Sequence, residues 1–215
     1  MIEAVVFDLD GVLLDSEEVW DAVREEYVRE SGGRYDAEVQ RAMMGMSSTE
    51  WSRYLHDSAG VPDEPEAIDA EVVRRMLQAY RRHLPLVPGA VEAVERLAAR
   101  FPLGLASSSN RPLIDEVLEL AGLAPCFRAT VSSEEVARGK PAPDVYHEAA
   151  RRLGVAPERC AAIEDSHAGI RSAHAAHMRV VAIPNASYPP DADALAQADV
   201  VLPSLQELTP DVVAA

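Results

Sequence analysis

Ala4-Val5-Val6-Phe7-Asp8-Leu9-Asp10-Gly11 sets four consecutive apolar residues before two carboxylates one residue apart, then a glycine. An apolar run this short, with no polar residue alternating through it, is a strand buried on both faces, the kind found in parallel sheets. At a period of two, Asp8 and Asp10 point to the same side of the chain. Gly11 then permits a sharp departure of the backbone. Two other readings attach to these residues. Asp-Gly between apolar residues is also a hairpin signal. A calcium loop would need a preceding helix and a glycine at its sixth position, and neither is present.

Further apolar runs follow at Leu103–Ala106, Ala129–Val131, Ala161–Ile163, Val180–Ile183 and Val200–Leu202. Helical stretches lie between most of them, at Leu113–Leu120, Val145–Leu153 and Gly169–Ala176. Their starts are marked by Asn110 before Arg111-Pro112 and by Pro141-Ala-Pro-Asp144. Strands alternating with helices predict an α/β fold with a Rossmann-like parallel sheet covered on both faces. One interval breaks the alternation. From Asp15 to Leu84 there is helical periodicity only: Val19, Val23 and Tyr27 share a face, as do Met76 and Tyr80. It ends at the stiff connector Pro85-Leu-Val-Pro88-Gly89. The expected organisation is a core of residues 1–14 and 85–215 with a small all-helical cap, 15–84, inserted after the first strand.

Composition excludes several classes. The 215 residues carry 36 acidic and 20 basic side chains, a net charge of −16. The interval 15–84 holds nine arginines against sixteen acidic residues, so it is not a basic binding module. No nucleic-acid or anionic membrane partner is expected. Cys126 and Cys160 make neither a disulfide framework nor a zinc site. No apolar run approaches the length of a membrane span, and Met1-Ile2-Glu3 leads straight into the first strand without a charged leader. A cytoplasmic localisation is therefore expected, and oligomeric state is not legible. Of the 20 basic residues, 19 are arginine; the sole lysine is Lys140.

Sites in doubly wound sheets form at the carboxyl ends of strands. The strand ends here carry Asp8 and Asp10, then Ser107-Ser108-Ser109-Asn110, then Arg138-Gly139-Lys140-Pro141, then Glu164-Asp165-Ser166. Four carboxylates, a hydroxyl cluster and the only lysine thus meet on one rim. Each piece has a plainer reading. Glu164-Asp165-Ser166 and Ser107–Asn110 would also serve as helix caps, and Lys140 as a solvated turn residue. Clustered carboxylates raise one another's pKa unless a cation joins them. Oxygen ligands without Cys or grouped His suit Mg²⁺, and hydroxyls with backbone amides at a helix start suit a phosphate.

Together these segments resemble, in order and spacing, the four motifs of the haloacid dehalogenase-like superfamily. The motifs are Asp8-Leu-Asp10-Gly11, Ser107, Gly139-Lys140-Pro141-Ala-Pro-Asp144 and Glu164-Asp165-Ser166-x-x-Gly169. The helical insert and Asp15-Ser16-Glu17 resemble the branch of β-phosphoglucomutases and sugar phosphatases. The resemblance covers essentially the whole chain. It implies a phosphatase acting on a small phosphorylated metabolite through an aspartyl-phosphate. Asp8 would be the nucleophile and Asp10 the general acid and base. Lys140 would stabilise charge, while Ser107 and Ser108 would bind the phosphate. Mg²⁺ would be held by Asp8, the Asp10 carbonyl, Asp165 and Glu164. The second carboxylate, Asp10, argues against a dehalogenase, and the lack of a cap lysine against a phosphonoacetaldehyde hydrolase. Mutases of the branch carry a cap histidine and a cap arginine where this chain has Trp20 and Ser48, which favours a phosphatase. A phosphosugar mutase and a non-catalytic metabolite-binding protein are the alternatives. Trp20, Met44, Met46 and Trp51 are candidates for substrate contact. His167 reads as a surface position on a helix.

Overall fold

The computed structural model describes residues 1–43, 46–185 and 189–215. Met44 therefore lies outside the described residues. Six strands form one sheet: β1 (Ala4–Phe7), β2 (Leu103–Ser107), β3 (Phe127–Ser132), β4 (Cys160–Glu164), β5 (Arg179–Ala182) and β6 (Val200–Val201). All neighbouring pairs are parallel, in the order β3-β2-β1-β4-β5-β6. β1 is central, and the direction of strand progression reverses beside it, which opens a crevice at the carboxyl ends.

Alternation along β1 divides the core. Val5 and Phe7 join one apolar cluster with Ala93, Val94 and Leu97 of α5 (Ala90–Ala98) and Leu113 and Val117 of α6 (Arg111–Leu120). Ala4 and Val6 join the other, with Val145 and Tyr146 of α7 (Asp144–Leu153) and Ile170 and Ala173 of α8 (His167–Ala175). Each of the four β1 residues is fully buried, so the unbroken apolar run reflects a sheet clad on both sides. The short helices α9 (Ala192–Leu195) and α10 (Pro210–Ala214) complete the sheet's C-terminal half.

Between β1 and β2 stand α1 (Glu17–Glu30), α2 (Ala37–Met43), α3 (Ser48–Asp57) and α4 (Pro65–Arg82). Val23 and Tyr27 of α1 and Met76 and Tyr80 of α4 are buried in the larger cluster, as their spacing predicts. The two chain crossings run antiparallel side by side: Asp15 N–H donates to Pro85 C=O (2.8 Å) and Val87 N–H to Leu13 C=O (3.0 Å). Asp10-Gly11 is not a hairpin. Gly11 takes φ +82° and its N–H donates to Leu14 C=O (2.7 Å), closing a compact loop that feeds this double crossing. Among the described residues no helix is long and apolar enough to cross a membrane.

Candidate active site

Asp8 is the first residue past β1, and its N–H donates to Ile163 C=O (3.0 Å), which pins it against β4. Lys140 arrives on the loop between β3 and α7. Its ammonium sits 2.8 Å from Asp8 Oδ1 and 2.7 Å from Glu164 Oε1, with a side chain only 3% exposed. Glu164 ends β4 and is fully buried; Tyr146 O–H donates to its Oε1 (2.6 Å), and its Oε2 accepts from Asp165 N–H (3.1 Å). Gly169, one turn into α8, allows this packing, because a Cβ there would overlap the Glu164 carboxylate.

Burial dominates the electrostatics. It pushes the Asp8 carboxyl up to about 7 against the pull of Lys140, and Glu164 and Asp10 add to the rise. Asp165, buried beside Glu164 and Asp8, is held well above the usual carboxylate range. Lys140 is driven the other way: desolvation opposes its charge, but Asp8 and Glu164 outweigh it and hold the ammonium above its ordinary value.

Asp10 is fixed from two sides. Ser16 O–H (2.6 Å) and the Trp20 indole N–H (3.3 Å) donate to Oδ1, and Ser109 O–H (2.5 Å) donates to Oδ2. Trp20 belongs to α1 and Ser109 to the turn after β2, so this carboxylate ties the helical insert to the sheet.

Carboxylate oxygens of Asp8, Glu164 and Asp165 lie within 4.8 Å of one another. Asp165 Oδ1 is buried without a hydrogen-bond donor, and Gly11 is stripped of a Cβ where one would strike the Asp165 carboxylate. An all-oxygen set with an unsatisfied carboxylate atom fits a hard divalent cation. Both Glu164 oxygens are already engaged by protein donors, whereas Asp165 offers a free one.

A cavity of about 130 Å³ opens over these groups, several times the ~10–15 Å³ one water needs. Asp8, Asp10, Trp20, Met46, Trp51, Ser108, Lys140, Asp165 and the exposed His167 all line it. Ser107 is placed differently from Ser108. It is fully buried below the cavity wall, and its Oγ accepts from Ser109 N–H (3.0 Å). Asn110 occupies the N-cap position of α6, as its place in the sequence predicts, without capping through its side chain. Its amide instead donates to both oxygens of Asp69 in α4 (3.1 Å each) and to Glu134 (2.8 Å).

Four contributors escaped the sequence reading: Tyr146, Ser109 as a partner of Asp10, the Asn110–Asp69 bridge and Arg24. Arg24 alone had a legible signal, since it lies four residues after Trp20 and therefore on the same helix face.

The model of the haloacid dehalogenase-like hydrolases matches residues 2–177. Hexitol phosphatase B of Escherichia coli K12 is 33% identical over 218 residues, covering 97% of this chain and 95% of that protein. The bifunctional riboflavin kinase/FMN phosphatase of Arabidopsis thaliana is 30% identical over 206 residues; the match spans 95% of this chain and only 54% of that larger protein. The crystal structure of CbbY from Rhodobacter sphaeroides in complex with phosphate superposes at a TM-score of 0.88, with 28% identity and full coverage of both chains. With the motif residues gathered at one end of a parallel sheet, the chain belongs to the haloacid dehalogenase-like hydrolase family.

Proposed function

We propose that the chain is a cytoplasmic phosphatase that hydrolyses a small phosphomonoester of the sugar- or polyol-phosphate kind through an aspartyl-phosphate on Asp8. Residues 15–84 act as its cap over a core of 1–14 and 85–215. The observation that carries this reading is the Lys140 ammonium seated between Asp8 and Glu164, with a second carboxylate, Asp10, fixed by three donors beside the nucleophile.

The chemistry rests on those positions. Asp8 attacks phosphorus while the bond to the leaving oxygen breaks, and Asp10 gives that oxygen its proton. Asp10 then takes a proton from water as the water attacks the aspartyl-phosphate, which frees inorganic phosphate and regenerates both carboxyl groups. Lys140 offsets the negative charge gathered on Asp8 and the phosphoryl group. Ser108 stands in the cavity wall and can hold a phosphoryl oxygen, while Ser107, buried beneath it, accepts the Ser109 N–H and so shapes the turn that presents Ser108. Asp8, the Asp10 carbonyl and Asp165 would hold Mg²⁺, which when bound neutralises charge on the transferring phosphoryl group. We assign Glu164 to orienting Lys140, since its oxygens are occupied. The indole of Trp20 has one N–H and no acceptor, and Asp10 engages it; Trp20 cannot pass a proton to a sugar as a mutase histidine would.

The test is phosphate release from a panel of metabolite phosphates and p-nitrophenyl phosphate, with Mg²⁺ or with chelator, by wild type and Asp8→Asn. Metal-dependent release by wild type alone is expected. No release from any ester would leave a binding protein. Interconversion of β-glucose 1-phosphate and glucose 6-phosphate as the dominant activity would make it a mutase.

A further inference from the structure

The cavity contains a second cation that the proposed chemistry does not use. Arg24 of α1 lines the same space as Asp8 and Lys140, but from the side of the helical insert. Its guanidinium carbon stands 4.5 Å from the centre of the Trp20 ring and 4.9 Å from that of Trp51. Those rings meet edge to face at 6.2 Å and form a corner that holds the guanidinium. Arg24 Nε is buried with no hydrogen-bond partner among the described residues. Asp10 and Glu17, which also line the cavity, attract Arg24 through space but form no hydrogen bond or contact ion pair with it, and Asp10 is already satisfied by Ser16, Trp20 and Ser109.

Lys140 stands in contrast. It is neutralised by two carboxylates within 2.8 Å. Arg24 is braced by aromatic faces, which position a cation without supplying an acceptor for its N–H groups. A guanidinium covered on its face presents its planar edge, and that edge matches a carboxylate or phosphate in paired hydrogen bonds. A substrate whose phosphoryl group meets Asp8 must extend its other end toward the insert, where this edge waits.

We propose that Arg24, held by Trp20 and Trp51, forms a subsite for a second oxyanion on the substrate, a carboxylate or phosphate at the end remote from the transferred phosphoryl group. This deepens the phosphatase reading above and rests on it. It narrows the substrate class to metabolites with a second anionic group besides the transferred phosphoryl, such as phosphorylated sugar acids and bisphosphates, over polyol phosphates whose only charge is that phosphoryl group.

Two matched pairs test it. 3-Phosphoglycerate and glycerol 3-phosphate differ in a carboxylate, and fructose 1,6-bisphosphate and fructose 1-phosphate in a distal phosphate. kcat/KM is measured for each with wild type, Arg24→Met and Arg24→Lys, with the site of release followed by phosphorus NMR. Wild type should favour the member with the second anionic group in at least one pair by about 10- to 100-fold. Which pair responds says whether the subsite takes carboxylate or phosphate. Arg24→Met should bring that ratio near one, and Arg24→Lys should fall between. Thermal melting checks that both variants are folded. Equal ratios in wild type and Arg24→Met for both pairs would overturn the proposal. Calorimetric binding of the same four esters to Asp8→Asn, with and without Arg24→Met, separates the two readings. Selective binding lost with Arg24 supports the subsite even if no ester is hydrolysed, whereas hydrolysis without selectivity refutes the subsite and leaves the phosphatase intact.

Discussion

Replacing Lys140 by arginine keeps the charge and changes its shape, so it tests whether a point charge is what the site needs. The ammonium serves Asp8 Oδ1 at 2.8 Å and Glu164 Oε1 at 2.7 Å, acceptors on two different carboxylates, and lies 5.2 Å from the centre of the Tyr146 ring. A guanidinium is longer and flat, and its fork is matched to the two oxygens of one carboxylate. With the Lys140 side chain 3% exposed and Glu164 fully buried, the longer group must either strain this corner or push its fork into the cavity over Asp8, where the substrate belongs. Overpacking of this kind costs about 1–3 kcal/mol, and a chain of this length loses about 2–4 °C in Tm per kcal/mol. The variant should therefore melt several degrees lower yet remain folded at 25 °C. A displacement of about 1 Å at reacting groups lowers rates by about 100-fold. We expect kcat to fall by that factor or more, measured as phosphate release at saturating ester and Mg²⁺, with circular dichroism reporting the fold. Lys140→Met should be worse in both respects, because it leaves buried carboxylates without a counter-charge at a cost of about 3–5 kcal/mol. If folded Lys140→Arg turned over within threefold of wild type, charge alone would suffice and the argument from geometry would fail.

Three more outcomes are tied to particular contacts. Ser109→Ala removes the 2.5 Å bond to Asp10 Oδ2 and should slow hydrolysis of an alkyl phosphate by about 10-fold while affecting p-nitrophenyl phosphate less, since nitrophenolate leaves without a proton; equal effects on both would sink this role. Gly169→Ala ought to stabilise the fold by about 1 kcal/mol, and so raise Tm, if helix propensity governed the site. Because the added Cβ meets the pinned Glu164 carboxylate, we expect Tm to drop and kcat to fall with it, and a rise would refute the packing argument. Glu135 has a carboxyl held down at about 2: burial opposes the shift, but hydrogen bonds from Arg111 and Arg152 win. A depressed carboxylate stabilises the fold above its ordinary value of 4.5, and that contribution fades as pH falls toward 2. Glu135→Gln should accordingly lower Tm by a constant small amount from pH 6 to 8, with the gap closing in acid; a gap that persisted unchanged at pH 2.5 would exclude the ion pair as its source.

Local sequence carried much of this structure. The strand positions, the helical insert and the rim that gathers Asp8, Asp10, Lys140 and Asp165 are legible because each depends on periodicity or on the residues just past a strand. Strand ends in a parallel sheet share one edge whatever their separation along the chain. Only the tertiary structure decided the partners. That Tyr146 holds Glu164, that Ser109 and Trp20 both hold Asp10, and that Asn110 reaches across to Asp69 instead of capping its own helix all join residues distant in sequence through rotamers set by packing. Ser107 was assigned to the phosphate by its motif, but whether its hydroxyl or that of Ser108 lines the cavity depended on the twist of the chain after β2. Arg24 shows the division most plainly. Its place on the face of Trp20 is fixed by helical spacing, whereas its lack of a carboxylate partner among the described residues, in a chain with 36 acidic side chains, emerged only when α1 was docked over the sheet. Periodicity is a local property of a backbone with two soft dihedrals per residue; pairing of charges is a property of the packed whole.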